Sequence, residues 1–318
     1  MAYCDMPILI LADYNQEYLS KQTARLVTAA RKISHDIHVL VIGENVTDIA
    51  QQASKIHGVT KVIIAQHTFF HHKFAEPLSN VIISIARDYG TIMASANAIG
   101  KDVLPRIAAI LDCMQVSEVI EILSPKTFKR AIYSGNVIQT VETTDPCQII
   151  TVCTSGFPPS PTGEKSAQME YISLENLEIS IPNTHFIKED KNSFEQIDLS
   201  SAKIVISGGK SLGSKENFQK IILPLAKKLN AAIGATRDAV NAGFAPNNWQ
   251  IGQTGITVAP ELYIAAGISG ALQHISGMKE SKIIVSINTD EHAPIFKISD
   301  YFIVGDIFEI LPQIEKHL

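Results

Sequence analysis

Residues 250–277 read QIGQTGITVAPELYIAAGISGALQHISG, and the rest of the chain is organised around them. Gly252, Gly255, Gly267, Gly270 and Gly277 punctuate the stretch, with Gly243 just upstream. Glycine suits a backbone that turns sharply or approaches a ligand closely, because no Cβ intervenes. Between the glycines stand Gln250, Gln253, Thr254, Ser269, Gln273 and His274. None is a strong nucleophile and together they make no metal cage, but all hydrogen-bond well to something large, flat and polar-edged. ValAlaPro at 258–260 and TyrIleAlaAla at 263–266 read as two apolar turns holding the glycines in place. The stretch reads as a cofactor cradle.

The sequence on either side supplies a sheet for it. AlaLysIleValIleSerGlyGly at 202–209 is a short strand, followed by SerLeuGlySer and a helix over 217–229. That layout is phosphate-loop-like, but no GxxxxGK[ST] is present, so a nucleoside-triphosphate grip is not indicated. AlaAlaIleGlyAla at 231–235 is a second strand that delivers Thr236 and Arg237 at its carboxyl end. IleIleValSerIleAsn at 283–288 delivers Ser286 and Asn288, and TyrPheIleValGlyAsp at 301–306 delivers Asp306 before a terminal helix. Ligands bind at the carboxyl ends of the strands in an open parallel sheet, so these polar groups converge on one edge. Ser269-Gly270 precede AlaLeuGlnHis, a helix start whose free N–H groups suit a pyrophosphate. If the ligand is supposed to be a flavin dinucleotide, an arginine beside its ring would stabilise negative charge on it and raise its potential.

The first half alternates strands with amphipathic helices. Strands are expected at 8–12, 37–42, 61–65, 91–94, 119–122 and 148–153, with helices over 21–33 and from Lys101 to about Met114. Continuous apolar runs indicate a sheet covered on both faces, and strand–helix repetition makes it parallel. AspTyrAsnGln follows the first strand where a GxGxxG would stand, so a Rossmann phosphate grip is not expected there. SerAlaAsnAlaIleGlyLys at 95–101 and IleTyrSerGlyAsn at 132–136 read either as ordinary turns or as loops lining an interface or cleft, with Arg106 and Arg130 nearby. His57, His67, His71 and His72 have no acid at ligand spacing and read as a solvated loop or helix start. PheProProSerProThrGlyGluLysSer at 157–166 breaks the pattern, and the alternating run at 169–179 reads as an edge or crossing strand.

With 318 residues the chain is long enough for two domains. A net charge of −5 and the lack of a basic, aromatic-interleaved patch argue against nucleic-acid binding. No apolar run reaches membrane-span length. The opening MAYCDMPILILADYN goes straight into a strand, without signal or transit features, and the four scattered cysteines read as reduced thiols. These features lead us to expect a bacterial cytoplasmic protein, or a processed mitochondrial matrix chain. No Ser–His–Asp set, paired carboxylates or HExxH supports hydrolysis.

Gly252-Gln253-Thr254-Gly255, Val258 to Ala265 and Gly267-Ile268-Ser269-Gly270-Ala271-Leu272-Gln273-His274 closely resemble the signature of the electron transfer flavoprotein alpha-subunit family. The resemblance continues through Gly277-Met278-Lys279, Ile287-Asn288 and Ala293 to Phe296, and reaches back to Pro105 to Ala108, Tyr133 to Asn136 and Ser207 to Gly209. It implies an α/β fold with two parallel-sheet domains. Residues 1–200 would form a nucleotide-binding-like α/β domain packed against a beta subunit, with a linker or edge segment from about 157. Residues 201–318 would form a doubly wound FAD-binding domain. The family is similar in holding one non-covalent FAD per heterodimer, with AMP in the beta subunit. It acts as an electron carrier without substrate turnover of its own, between flavoprotein dehydrogenases such as those oxidising acyl-CoA and a membrane quinone oxidoreductase. A subunit of an electron-bifurcating, NADH-linked flavoprotein is the alternative, with a second flavin in place of AMP.

Carried onto this sequence, the resemblance puts Arg237 by the flavin ring, with Thr236 where many members have serine. Gln250 and Thr254 would approach the N5 and O4 side, and His274 the C2 carbonyl. Gln253, Gly267, Ser269, Gly270 and Gln273 would serve the ribityl and pyrophosphate portion, and Asn288 and Asp306 the adenosine end. The FAD domain would swivel on the Pro-rich and following segments. Two departures stand out: Ile256 replaces a lysine common in relatives, and 95–99 reads SerAlaAsnAlaIle where threonines and phenylalanine are usual.

Overall fold

The structure, a computed structural model, describes residues 6–15, 17–133, 135, 137–163, 165–174, 186–188, 197, 199 and 202–318. The chain divides into units Met1–Asp190 and Lys191–Leu318, each with its own sheet.

In the first unit the apolar runs become strands β1 (Ile8–Leu11), β2 (Ile37–Gly43), β3 (Lys61–Gln66), β4 (Thr91–Ser95), β5 (Gln115–Ser124), β6 (Thr127–Ile132), β7 (Val137–Glu142), β8 (Gln148–Val152) and β9 (Gln168–Tyr171). Helices α1 (Lys21–Ala30), α2 (Thr47–Ser54), α3 (Ala75–Ile85) and α4 (Ala98–Ile110) alternate with them. The strand order is β7-β6-β5-β8-β4-β1-β2-β3-β9. Side chains alternate across it. Ile8 and Ile10 join α1 and α2 in one core, while Leu9 and Leu11 join α3 and α4 in the other. Both faces are therefore covered, as the continuous runs require.

The sheet is mixed rather than parallel throughout. β1, β2, β3, β4, β8 and β9 run parallel, but β5–β6 and β6–β7 pair antiparallel. The cause is loop length: only Pro125 and Lys126 separate β5 from β6, and a parallel return needs a crossover of a dozen or more residues. Ser134 and Asn136, in the β6–β7 turn, lie outside the described residues. Arg106 lies in α4 and Arg130 in β6.

Three further expectations change. Helix α4 starts at Ala98, not Lys101, because the Asn97 side chain caps it by accepting from the Gly100 N–H at 2.9 Å. The loop histidines are all exposed, but one of them meets an acid from a distant part of the sequence: His71 Nδ1 lies 2.6 Å from Glu44 Oε2, just past β2. Among the described residues no group of three His, Cys, Asp or Glu is placed to hold a metal. The proline-rich segment is no free linker. Phe157 is buried, Ser160 N–H donates to Ala24 O, His57 N–H to Pro161 O and Gly163 N–H to Lys55 O. Prolines lack a donor but their carbonyls still accept, so these residues belong to the first unit. β9 then lies on the sheet edge against β3; residues 175–179 of the alternating run fall outside the described residues.

The second unit holds β10 (Ile204–Gly208), α5 (Lys215–Leu229), β11 (Ala232–Ala235), α6 (Arg237–Asn241), β12 (Leu262–Ala266), α7 (Leu272–Ile275), β13 (Ile283–Asn288), β14 (Tyr301–Val304) and α8 (Ile307–His317). All its pairings are parallel, in the order β11-β10-β12-β13-β14. TyrIleAlaAla, read from sequence as a turn, is the body of the central strand β12. Its residues are buried on both faces, where only an unbroken apolar run avoids stranding a polar group. One face packs on α5 and α8 through Phe218, Ile222, Leu225, Ile307 and Leu311. The other is closed by Ile251, Val258, Ile268, Met278 and Ile295. The glycine-rich stretch thus serves as the lid of its own core.

Candidate cofactor-binding site

The chain leaves β10 toward β11 on one side, then returns past β10 to β12 on the other. That reversal opens a crevice at the carboxyl ends of β10 and β12, where open α/β sheets bind ligands. The two backbones nearly touch there. A Cβ on Gly209 would sit 1.9 Å from the Gly267 carbonyl, and Gly209 N–H donates to Ala266 O at 2.9 Å. Gly267 adopts φ +62°, a left-handed conformation that turns the chain out of the sheet, and its carbonyl accepts from Ser211 Oγ at 2.8 Å.

Beside this crossing lies a cleft of about 220 Å³ lined by Ser211, Gly267, Asn288, Asp306 and Phe308, among others. Asn288 is anchored, its Nδ2 donating to Ile268 O at 3.0 Å. Asp306 caps α8 by accepting from the Phe308 N–H at 2.9 Å. A carboxylate, an amide and a hydroxyl therefore face one space at the ends of neighbouring strands. The cleft is smaller than the roughly 300–1,000 Å³ usual for a whole small-molecule pocket. It suits one end of an extended ligand.

The remaining groups lie around β11 and α7. Thr236 caps α6, its Oγ1 accepting from Ala239 N–H at 3.3 Å, and this fixes Arg237 in the first turn of that helix. Arg237 is exposed and has no ion pair among the described residues, with Asp238 or any other acid. Gln250 bridges to Ala235, which brings the glycine loop beside Thr236 and Arg237. Gln250 Nε2 donates to Thr254 Oγ1 at 2.9 Å, and Gln253 N–H donates to Gln273 O at 2.8 Å. Gly252, at φ +144°, lets the loop lie flat on α7, since a Cβ there would come within 2.8 Å of the Gln273 carbonyl. Ile256, in place of the usual lysine, packs against the core beneath the loop.

His274 lies in the core beneath the loop. It is 5% exposed, with Nδ1 3.1 Å from the Ile251 carbonyl and Nε2 2.9 Å from the Tyr263 hydroxyl. A carbonyl can only accept, so Nδ1 carries the proton and Nε2 accepts from Tyr263. Burial outweighs the bond to Ile251 and lowers its pKa to about 4, so the ring is neutral near pH 7. Both nitrogens are used within the chain in this arrangement. A helix does start just after Ser269-Gly270: α7 is one short turn with no side-chain cap, and Gly270 makes room for Ile295, whose N–H donates to Ser269 O. Ser269 itself is exposed.

Sequence reading passed over Ser211 and Tyr263. Ser211 had a signal, the polar loop after a GlyGly-ended strand. Tyr263 was hidden by the turn assignment, since only a strand sends its hydroxyl through the core toward His274.

Comparison with known proteins agrees with this layout. Residues 8–177 match the family model described as electron transfer flavoprotein domain, and residues 198–279 match the electron transfer flavoprotein FAD-binding domain. Electron transfer flavoprotein subunit alpha of Pseudomonas aeruginosa is 46% identical over 311 residues, covering 98% of this chain and 99% of that one. The Paracoccus denitrificans subunit is 43% identical over 313 residues, covering 98% and 100%. A probable mitochondrial alpha subunit from Caenorhabditis elegans is 40% identical over 312 residues, covering 98% and 93%. With family models matching most of the chain and relatives at 40–46% identity covering 98% of it, the chain belongs to the electron transfer flavoprotein alpha-subunit family.

Proposed function

We propose that this chain is the FAD-carrying half of a heterodimeric electron carrier. It would accept electrons from flavoprotein dehydrogenases, including those acting on acyl-CoA, and pass them to a membrane quinone oxidoreductase. The first unit would pack against a beta subunit that holds AMP, leaving one FAD per heterodimer. The observation that carries the reading is the crevice at the β10–β12 crossing, where backbone closeness and the Ser211, Asn288 and Asp306 groups fit one end of a dinucleotide.

When bound, FAD supplies the reversible electron uptake that no side chain provides. In this reading Asn288 and Asp306 hold the adenosine end, and Gly267, Ser269, Gly270, Gln253 and Gln273 line the ribityl and pyrophosphate path. Arg237 presents a fixed positive charge to the ring from the first turn of α6, while Gln250 and Thr254, already bonded to each other, orient its polar edge. His274 backs the loop as a neutral donor–acceptor. Its approach to the ring would require one of its two internal bonds to be given up. No group has to act as acid or base, so the chain sets a potential rather than turning over a substrate.

An anaerobic dithionite titration of the co-expressed alpha–beta complex tests this. The expected result is one FAD per heterodimer, with a lower midpoint potential in Arg237→Ala while FAD is retained. Two flavins reduced directly by NADH would move the chain to a bifurcating assembly. A colourless complex that does not take up FAD would overturn both readings.

A further inference from the structure

The first unit brings two cysteines together. β5 and β8 pair in parallel with Gln115 opposite Ile149 and Val116 opposite Ile150. Cys113 and Cys147 lie just ahead of these strands, two residues before the first paired positions, and the Cys147 backbone N–H faces the Cys113 sulfur. The approach is fixed from both sides, because Cys113 N–H donates to Ala108 O at 2.9 Å and Met114 N–H to Asp145 Oδ2 at 2.7 Å. Both side chains pack against the apolar cluster under α3 and α4, on the same side of the sheet. Both are free thiols and only half-buried.

Neighbouring strands lie about 4.8 Å apart. A disulfide needs Cα atoms roughly 4.4–6.8 Å apart with Cβ atoms on the same side. We propose that Cys113 and Cys147 are a reversible thiol–disulfide pair, a modification site that fastens the start of β5 to the start of β8.

The chemistry assigns an order to the two thiols. Burial pushes both up, Cys147 to about 11, while the Cys147 backbone N–H bonds to the Cys113 sulfur and partly offsets the rise there. Cys113 is therefore the attacking group. Its thiolate attacks a small-molecule disulfide, forming a mixed disulfide and releasing one thiol. The Cys147 thiolate then attacks the Cys113 sulfur and releases the second thiol. Two protein thiols are oxidised, one external disulfide is reduced, and the two protons of the protein thiols pass to the two thiols released. Because the thiolate is the nucleophile, closure is slow near neutral pH and speeds up as pH rises.

The test treats the full chain with oxidised glutathione at about pH 7 and about pH 9, then counts free thiols after unfolding and maps peptides. The expected result is loss of two of the four thiols, a Cys113–Cys147 link without retained glutathione, and closure about tenfold or more faster at the higher pH. Cys147→Ser should trap one glutathione on Cys113, and Cys153→Ser should close like the wild type. Four free thiols after treatment at the higher pH, glutathione held on both cysteines, or a link through Cys4 or Cys153 would overturn the proposal.

Discussion

Tyr263 and His274 form a buried polar pair in a core that otherwise has little tolerance for one. Burial raises the tyrosine pKa, so it stays a protonated donor, and burial holds the histidine neutral, so Nε2 stays an acceptor. Each state is what the other needs. Tyr263→Phe removes the donor and strands Nε2 in the core, a loss of about 1–3 kcal/mol, to be read as a lower denaturant midpoint at unchanged slope. The pair also sets a pH dependence. The histidine pKa is near 6.5 when unfolded and about 4 when folded. Its contribution is therefore fully present above about pH 6.5 and is lost as pH falls toward 4. In that window the unfolded chain binds one more proton, so stability should fall by up to about 1.4 kcal/mol per pH unit on acidification. His274→Asn should flatten that part of the curve. An equally steep curve in the variant would mean another group is responsible.

At the scale of elements, the β10–β12 crossing depends on two backbones with nothing between them. Gly209 has an ordinary backbone conformation, so replacing it tests closeness alone. Gly209→Ala puts a methyl against the Gly267 carbonyl, and β12 must move away from β10. The expected cost is about 1–3 kcal/mol of stability from overpacking, together with loss of FAD from the purified complex. FAD retained at wild-type occupancy would detach the crevice from cofactor binding. The same crossing shows what was legible beforehand. Strand–helix alternation exposed most of both sheets, and strand ends exposed Thr236, Asn288 and Asp306, because apolar runs and the polar residues ending them are local signals. β12 escaped because a five-residue apolar run between glycines reads equally well as a turn. The antiparallel β5–β7 extension escaped because strand direction depends on loop length. The pairing of His71 with Glu44 and of His274 with Tyr263 depends on contacts across the fold, which no spacing rule reports.

At the scale of the molecule, each unit has a core of its own among the described residues. The clusters built on β1–β8 draw only on the first unit, and those built on β10–β13 only on the second. Domains with separate cores unfold as separate cooperative units unless a large apolar interface couples them. Calorimetry of the full chain should therefore show two transitions. If the cofactor site lies wholly on the second sheet, FAD should move one of them and leave the other in place. Ligand at about a hundred times its dissociation constant adds about 2.7 kcal/mol to the unit that binds it. For a unit of this size that is a rise of several degrees in Tm. Assignment can rest on Gly209→Ala, which should lower the same transition that FAD raises, because its clash lies in the second unit. If FAD shifts both transitions together, the first unit also contributes to the site, and residues of the second sheet alone would not account for cofactor binding.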